Sequence, residues 1–443
     1  MKLTILGGGG FRVPLVHGAV LADQSCHVDE IVLHDTSSTR LKVMTAVLRE
    51  QAAGHRDAPR LTSTTRLEEA LEGADFVFSA IRVSGLEGRC CDERIGLDHG
   101  VLGQETTGAG GLVYGLRTLP AAMTIARTVA QVCPQAWVIN FTNPAGMVTQ
   151  AMQQVLGPRV VGICDSPIGL GRRAARALGL DPERTQFRYS GLNHLGWLHQ
   201  LISDGRDVLP DLLADPTRLA GIEEGRLFGA DWLASLGSLP NEYLHYYYFN
   251  RDAVAAITSA DQTRGEYLRR TQTAFYRDAA ASDHPLQVWH EVHHSRDASY
   301  MAEARAEGEE RDPQDVEGGG YERVAVAIMK AISTNEVASI ILNVRNNGAL
   351  AGLPDEAVVE VPCTVNAAGP QPLAPHPLRG HQLGLAATVK ECEMLVIEAV
   401  AHRDPDLAVK AVALHPLVDS VTVARDVVRD QRRRNRQVDA VFG

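Results

Sequence analysis

Four consecutive glycines, Gly7-Gly8-Gly9-Gly10, follow the apolar stretch Leu3–Leu6 and precede a helical pattern. Glycine at a strand-to-helix turn lets the backbone approach a pyrophosphate, and the helix behind it offers free N–H groups to the anion. The spacing of a dinucleotide turn is incomplete, because its third glycine falls on Arg12 or Val13. Phe11 and Arg12 complete the candidate cofactor loop. A second signal supports it: the apolar run Ile31–Leu33 leads through His34 to Asp35, about 25 residues past the glycines, where a carboxylate can hold ribose hydroxyls and repel a 2′-phosphate. That selects NAD over NADP. The alternatives are a plain strand-to-helix turn for the glycines and a helix cap for Asp35. A different chemistry is offered by His290-Glu291-Val292-His293-His294, the zinc-protease pattern of histidines one helical turn apart with a glutamate between them. Glu309 and Glu310 stand where a third ligand could come from, but in a polar, Gly-rich stretch. A solvated histidine-rich helix face accounts for that run more simply.

These residues need a scaffold. Residues 1–165 alternate strand and helix patterns, with strands predicted at Leu3–Leu6, Glu30–Leu33, Phe76–Ala80, Ala136–Asn140 and Val160–Ile163. Helical patterns at Pro14–Ala22 and Thr118–Val132 lie between them. This predicts an α/β fold, a Rossmann-type doubly wound parallel sheet binding NAD. Residues 166–443 predict a second, mixed α+β domain. It has a hairpin or loop at Asp204–Pro216, a mobile polar loop at Arg305–Gly320, strands at Ser339–Asn343 and Ala357–Val361, and helices at Leu383–Ala401 and Val421–Arg436. The run Arg432-Arg433-Arg434 reads as a solvated helix end, where cations are favoured. The active site is expected in the cleft between the domains.

Composition narrows the partners. A formal charge of -11 over 443 residues argues against nucleic acid or an anionic membrane. Seven scattered cysteines suggest no disulfide framework and fit a reducing, cytoplasmic compartment. The N-terminus does not read as a signal peptide, and no apolar run approaches the ~20 residues of a membrane span.

Further segments occur in a telling order: Gly103-Gln104-Glu105-Thr106-Thr107-Gly108, Asn140-Phe141-Thr142-Asn143-Pro144, Ile163-Cys164-Asp165-Ser166-Pro167, Gly191-Leu192-Asn193-His194, Pro240-Asn241-Glu242-Tyr243-Leu244 and Asn346-Asn347-Gly348. As an ordered set they resemble glycoside hydrolase family 4, and within it the 6-phospho-β-glucosidases. The resemblance implies an exception to the two-carboxylate scheme of glycoside hydrolysis. NAD⁺ oxidises C3 of the sugar, a base removes the C2 proton with metal assistance, the leaving group is eliminated, water adds, and the hydride returns.

The resemblance also implies roles. Cys164 and His194 would ligate a divalent metal, usually Mn²⁺, although a thiolate is a soft ligand for that hard ion. Asp165 would protonate the leaving group and Tyr243 would be the C2 base. Without the motif, the residues of Tyr243-Leu244-His245-Tyr246-Tyr247-Tyr248 do not choose among four tyrosines. Arg89, Asn143 and Arg264 fall on substrate-contacting positions. Phe11-Arg12 stands where many phospho-specific members carry small hydroxyl residues, so Arg12 replaces those contacts to a 6-phosphate or the substrate lacks the phosphate. The implied partner is a small glycoside, expected to be 6-phosphorylated, and the implied assembly a homodimer or homotetramer. Action on α-linked or unphosphorylated glycosides, an NAD-dependent dehydrogenase and an NAD-binding sensor remain as alternatives.

Overall fold

In a computed structural model, residues 1–299 and 320–443 are described. Among them, thirteen strands form one sheet. They are β1 Lys2–Leu6, β2 Glu30–His34, β3 Arg60–Thr64, β4 Phe76–Ser79, β5 Trp137–Asn140, β6 Val160–Gly162, β7 Gln186–Leu192, β8 Leu195–Ser203, β9 Arg206–Asp207, β10 Leu239–Pro240, β11 Ala338–Arg345, β12 Val358–Asn366 and β13 Gly369–Pro372. The strand order is β10-β8-β7-β12-β11-β6-β5-β4-β1-β2-β3, with β13 beside β12 and β9 beside β8. The pairs among β1 to β6 are all parallel, and the order reverses between β1 and β4, as a doubly wound sheet requires.

Strands covered on both faces need continuous apolar runs. Ile31, Leu33, Val77, Val138, Ile139 and Val161 meet that need and are almost fully buried. Each of the five strands expected in the first part is present within a residue or two. The edge strand β3 gave no such signal, because Arg60-Leu61-Thr62-Ser63-Thr64 is mostly polar and half-exposed.

The later strands do not build a sheet of their own. β11 pairs antiparallel with β6 through Asn343 and Gly162, and β12, β7, β8 and β10 extend the same sheet outward. Gly162 permits the junction: a Cβ there would lie 2.5 Å from Thr149 Oγ1 and 2.8 Å from Asn343 Cβ.

Helix boundaries moved for local reasons. The predicted Thr118–Val132 is the end of a longer helix, Gly108–Val132, whose glycine-rich start hid it. The predicted Val421–Arg436 stops at Arg434, because Asn435 caps a new helix, Arg436–Phe442, by accepting from Gln437 N–H. Asp204–Pro216 divides into a turn joining β8 to β9 and the short helix Leu209–Leu213. The loop expected at Arg305–Gly320 lies, Gly320 excepted, outside the described residues. No helix among the described residues is long and apolar enough to cross a membrane.

One buried group makes the fold acid-sensitive. His415 is 2% exposed, its Nδ1 accepts from Leu417 N–H at 3.2 Å, and burial pulls its pKa down from 6.5 to about 3. The unfolded chain therefore binds a proton between pH 6.5 and 3 that the folded chain refuses. The stability that His415 contributes is full above pH 6.5 and is lost as pH falls through that window, by about 2 kcal/mol between pH 7 and 5, and the buried His199, pulled down to about 3, adds to the same slope. Denaturant midpoints should fall accordingly, and His415→Gln should flatten this part of the profile; an unaltered profile in the variant would remove His415 as the cause.

Candidate active site

The glycine turn sits at the strand-order reversal. Gly7 has φ +80°, and a Cβ on it would lie 2.4 Å from the Ala80 carbonyl oxygen at the end of β4. Only glycine fits there. The turn closes with Gly8 N–H donating to His34 O at 2.7 Å and Gly10 N–H donating to Gly7 O at 2.8 Å. The helix Val13–Ala22 follows; Pro14 has no N–H, and the Val13 and Leu15 N–H groups donate to the Gly10 and Arg12 carbonyls at 3.1 Å, so what the helix turns toward an anion is the positive end of its dipole.

Asp35 lies at the end of β2, beside this turn. Its Oδ2 accepts from Gly9 N–H at 3.1 Å and its Oδ1 from Ser37 N–H at 2.9 Å. Ser37, not Asp35, caps the following helix. Phe11 lines the cavity beside this turn. Its ring is 4% exposed and packs edge-to-face on Phe275 at 5.0 Å and near Trp289 at 5.9 Å, so only its backbone is available to a nucleotide. Arg12 lies at the cavity wall, 5.1 Å from the Tyr321 ring and 5.5 Å from the Phe141 ring.

From this turn a cavity of about 840 Å³ runs past the ends of β4 and β6 to the β7–β8 turn. Its wall holds Arg12, Arg89, Asn143, Cys164, Asp165, His194, Tyr243 and Arg264, which lie far apart in sequence. Cys164 and Asp165 follow β6. Asp165 occupies the cap position of the helix Ser166–Ala177, yet its side chain makes no capping bond, so its carboxylate is not taken up by a capping role.

His194 sits in the tight turn between β7 and β8 with φ +61°, a strained value for a non-glycine residue. Its Nδ1 meets Thr106 Oγ1 at 3.0 Å, which leaves Nε2 for another partner. Burial lowers its pKa to about 4, so the ring is neutral, the form that ligates metals. The Tyr243 ring stacks on it at 3.7 Å, nearly parallel.

These residues fit a divalent cation. Cys164 is buried and its thiol is pushed well above the usual range, first by burial and then by Glu360 and Asp165. A cation is what would make it a thiolate. Among the described residues no group of three or more His, Cys, Asp or Glu is placed to hold a metal. The chain therefore offers Cys164 and His194, and leaves other positions for substrate oxygens and water.

The arginines divide into two kinds. Arg89 is buried and pairs with Glu93 and Glu105, each at 2.7 Å. Glu105 also takes Arg82 at 2.6 Å; burial opposes its ionisation, but the two guanidiniums hold its carboxyl well below the usual range. Arg89 lies close enough to Tyr243 for the two to interact through charge. Arg264 is held by Ser299 Oγ at 2.7 Å and by the Arg296 carbonyl at 2.9 Å.

Arg296 was not expected. Its guanidinium has no hydrogen bond or ion pair with a described residue; it rests 5.9 Å from the Phe11 ring. Burial, then Arg12, Arg264 and Arg89 in that order, pull its pKa down to about 9. Such a cation needs an anion. It lies two residues past His294, just beyond the run that suggested a zinc site. Of that run, His290, Glu291 and His294 are exposed on the helix Pro285–Ala298 and do not line the cavity, while His293 stacks on Trp289. Glu309 and Glu310 lie outside the described residues. Glu105 and Thr106 were visible in a quoted motif without a role; their charge and hydroxyl were the signal.

The Family 4 glycosyl hydrolase model matches residues 2–180, and its C-terminal domain model matches residues 189–418. The chain belongs to glycoside hydrolase family 4. This family 4 hydrolase is 31% identical to a 6-phospho-β-glucosidase of Escherichia coli (strain K12), over 97% of this chain and 94% of the relative. Its fold matches the 6-phospho-β-glucosidase from Thermotoga maritima, solved with NAD and glucose-6-phosphate, at TM-score 0.83 and 27% identity, over 99% of both chains. A 6-phospho-α-glucosidase from gut microorganisms, in complex with NAD and Mn²⁺, matches at TM-score 0.82 and 25% identity, over 99% of this chain and 98% of that one. Both anomeric specificities therefore occur among its near relatives.

Proposed function

We propose that this family 4 hydrolase cleaves 6-phosphorylated β-glucosides by NAD-mediated transient oxidation at C3. The observation that carries the reading is a single cavity into which the glycine turn, the Cys164–His194 pair with Tyr243 stacked on it, and the arginines all open. Residues 1–165 hold the dinucleotide, and residues 166–443 carry most of the metal and sugar contacts. Bound NAD⁺ supplies a hydride acceptor, and a bound divalent cation, Mn²⁺ in this reading, supplies a Lewis acid for the oxygens at C2 and C3.

The chain's own residues do the rest. The turn Gly7–Gly10 and Asp35 seat the dinucleotide, and Cys164 and His194 hold the cation. Tyr243 takes the proton from C2, which a C3 ketone has acidified. Asp165 gives a proton to the departing oxygen. Asn143 and Arg89 orient the sugar, while Arg12, Arg264 and Arg296 receive the 6-phosphate. Arg296 supports the phosphate because its guanidinium makes no ion pair with a described residue, and the nearby carboxylate that feels its charge, Glu105, is already paired with Arg82 and Arg89. A phosphorylated substrate also suits a cytoplasmic site of action.

The test is a panel of chromogenic α- and β-glucosides, each with and without the 6-phosphate, assayed with NAD⁺, Mn²⁺ and reductant. The 6-phospho-β-glucoside should turn over fastest, with no net growth of reduced-nicotinamide absorbance. Faster turnover of the α-anomer would reassign the specificity. Inactivity on every glycoside, with NADH accumulating on a hydroxy acid, would favour the dehydrogenase reading.

Arg296 gives a sharper result. Arg296→Met should raise KM for the phosphorylated substrate about 10–100-fold, the worth of a charge-assisted hydrogen bond, and leave an unphosphorylated substrate unaffected. Since Arg296 loses its proton near pH 9, wild-type kcat/KM for the phosphorylated substrate should decline as pH rises through that value. The methionine variant should lack this limb. Equal losses on both substrates would show that Arg296 only packs.

A further inference from the structure

Glu242 has no part in the mechanism above, yet it joins two pieces of the site. It begins the single turn Glu242–Leu244 that carries Tyr243. Across the cavity, Ser166 is the first residue of the helix that follows Cys164 and Asp165. Ser166 Oγ donates to Glu242 Oε1 at 2.5 Å. The turn is also fastened to the β7–β8 hairpin and to itself: Asn241 N–H donates to Gly196 O at 2.9 Å, the Tyr243 ring stacks on His194, and Asn241 Oδ1 accepts from Tyr243 N–H at 3.0 Å.

The surroundings make this carboxyl costly. Glu242 is 4% exposed, and its Oε2 is buried without a hydrogen-bond partner. The neighbouring cation, Arg173, is already engaged: Nε donates to Glu224 at 3.2 Å, and an outer nitrogen lies 3.7 Å from Glu223. Burial pushes Glu242 up to about 7 in spite of Arg173. A buried carboxyl with one satisfied oxygen destabilises the fold unless its geometry is used.

We propose that Glu242 is a positioning residue, which through Ser166 fixes the separation between the Cys164–Asp165 segment and the turn carrying Tyr243. Glu242 touches neither substrate nor cofactor in this role; it sets where the proton acceptor stands relative to the proton donor. The proposal rests on reading Tyr243 as the C2 base.

The test compares Ser166→Ala, Glu242→Ala, their double variant and Glu242→Gln with the wild type, using substrate with hydrogen or deuterium at C2. Ser166→Ala removes a single oxygen and is the variant least able to disturb folding. Ser166→Ala and Glu242→Ala should each lower kcat about 10–100-fold with KM within about threefold. Both should enlarge the C2 isotope effect, because proton transfer becomes slower than the steps around it. The double variant should be no worse than either single one, since both remove the same bond. Glu242→Gln should recover most of the loss, its amide oxygen accepting from the same hydroxyl. Additive losses, or losses confined to KM with an unaltered isotope effect, would overturn the proposal. Absence of a C2 isotope effect in the wild type, with activity present, would instead strike at the oxidation reading itself.

Discussion

Tyr243→Phe is expected to lower kcat by about 10²–10⁴-fold, the usual worth of a positioned general base, while KM moves little. The substitution is clean because the ring does two jobs that can be separated. Stacking on His194 at 3.7 Å belongs to the ring, which phenylalanine keeps. Taking the C2 proton belongs to the oxygen, which phenylalanine lacks. In the proposed mechanism hydride loss from C3 precedes deprotonation and does not need the phenol. A single turnover of the variant should therefore show a burst of reduced nicotinamide that is stoichiometric with enzyme and decays slowly. The wild type should show no such accumulation. A kcat within tenfold of wild type would mean that another group is the base, and Tyr246, which lines the same cavity, would be next in line.

Cys164→Ser is expected to raise the Mn²⁺ concentration for half-maximal activity by more than the ~10–100-fold typical of losing a supporting group around a metal. The buried thiol is well above its usual range without a cation, so binding must release its proton, and serine cannot yield an oxyanion at comparable cost. Sulfur is also the soft donor of the pair. Affinity for Zn²⁺ or Co²⁺ should then fall more steeply than affinity for Mn²⁺. Metal binding measured directly, by calorimetry or by metal-dependent shifts in Tm, separates this from a loss of rate. Unchanged activation by Mn²⁺ would remove Cys164 from the ligand set.

Much of the fold was legible because burial on both faces forces long apolar runs, as in Ile31–Leu33 and Val160–Ile163. What was missed obeys a different rule. β3 lies at the edge and need not be apolar. β7 and β8 form a hairpin whose turn, Asn193-His194, carries a site residue where a turn glycine would be easier to fold. The join of β6 to β11 is a contact distant in sequence, and no local pattern encodes it.

The site was legible in a similar, partial way. Residues inside ordered motifs, such as Cys164, Asp165 and His194, fall on one wall. Arg296 stood outside those motifs, just past a histidine run that looked like something else, and became visible only when the helix packed it among three other arginines. That the Phe11 ring turns into the core was not legible, because adjacency to a glycine turn says nothing about which way a ring points. Tyr243 became distinct from its neighbours through packing: Tyr247 faces His415, and Tyr248 OH accepts from the Trp197 indole.

The junction of β6 with β11 has a bearing on biogenesis. On a ribosome the parallel strands β1 to β6 are complete long before Ala338–Arg345 is made. During that interval β6 is a naked sheet margin of Val160-Val161-Gly162, offering its main chain to any passing strand. A nascent chain stalled in the middle would be a candidate for chaperone capture, and a truncated product ending near residue 300 would be prone to aggregate. Expressing the dinucleotide-binding part alone should therefore require a charged residue or a proline engineered into β6.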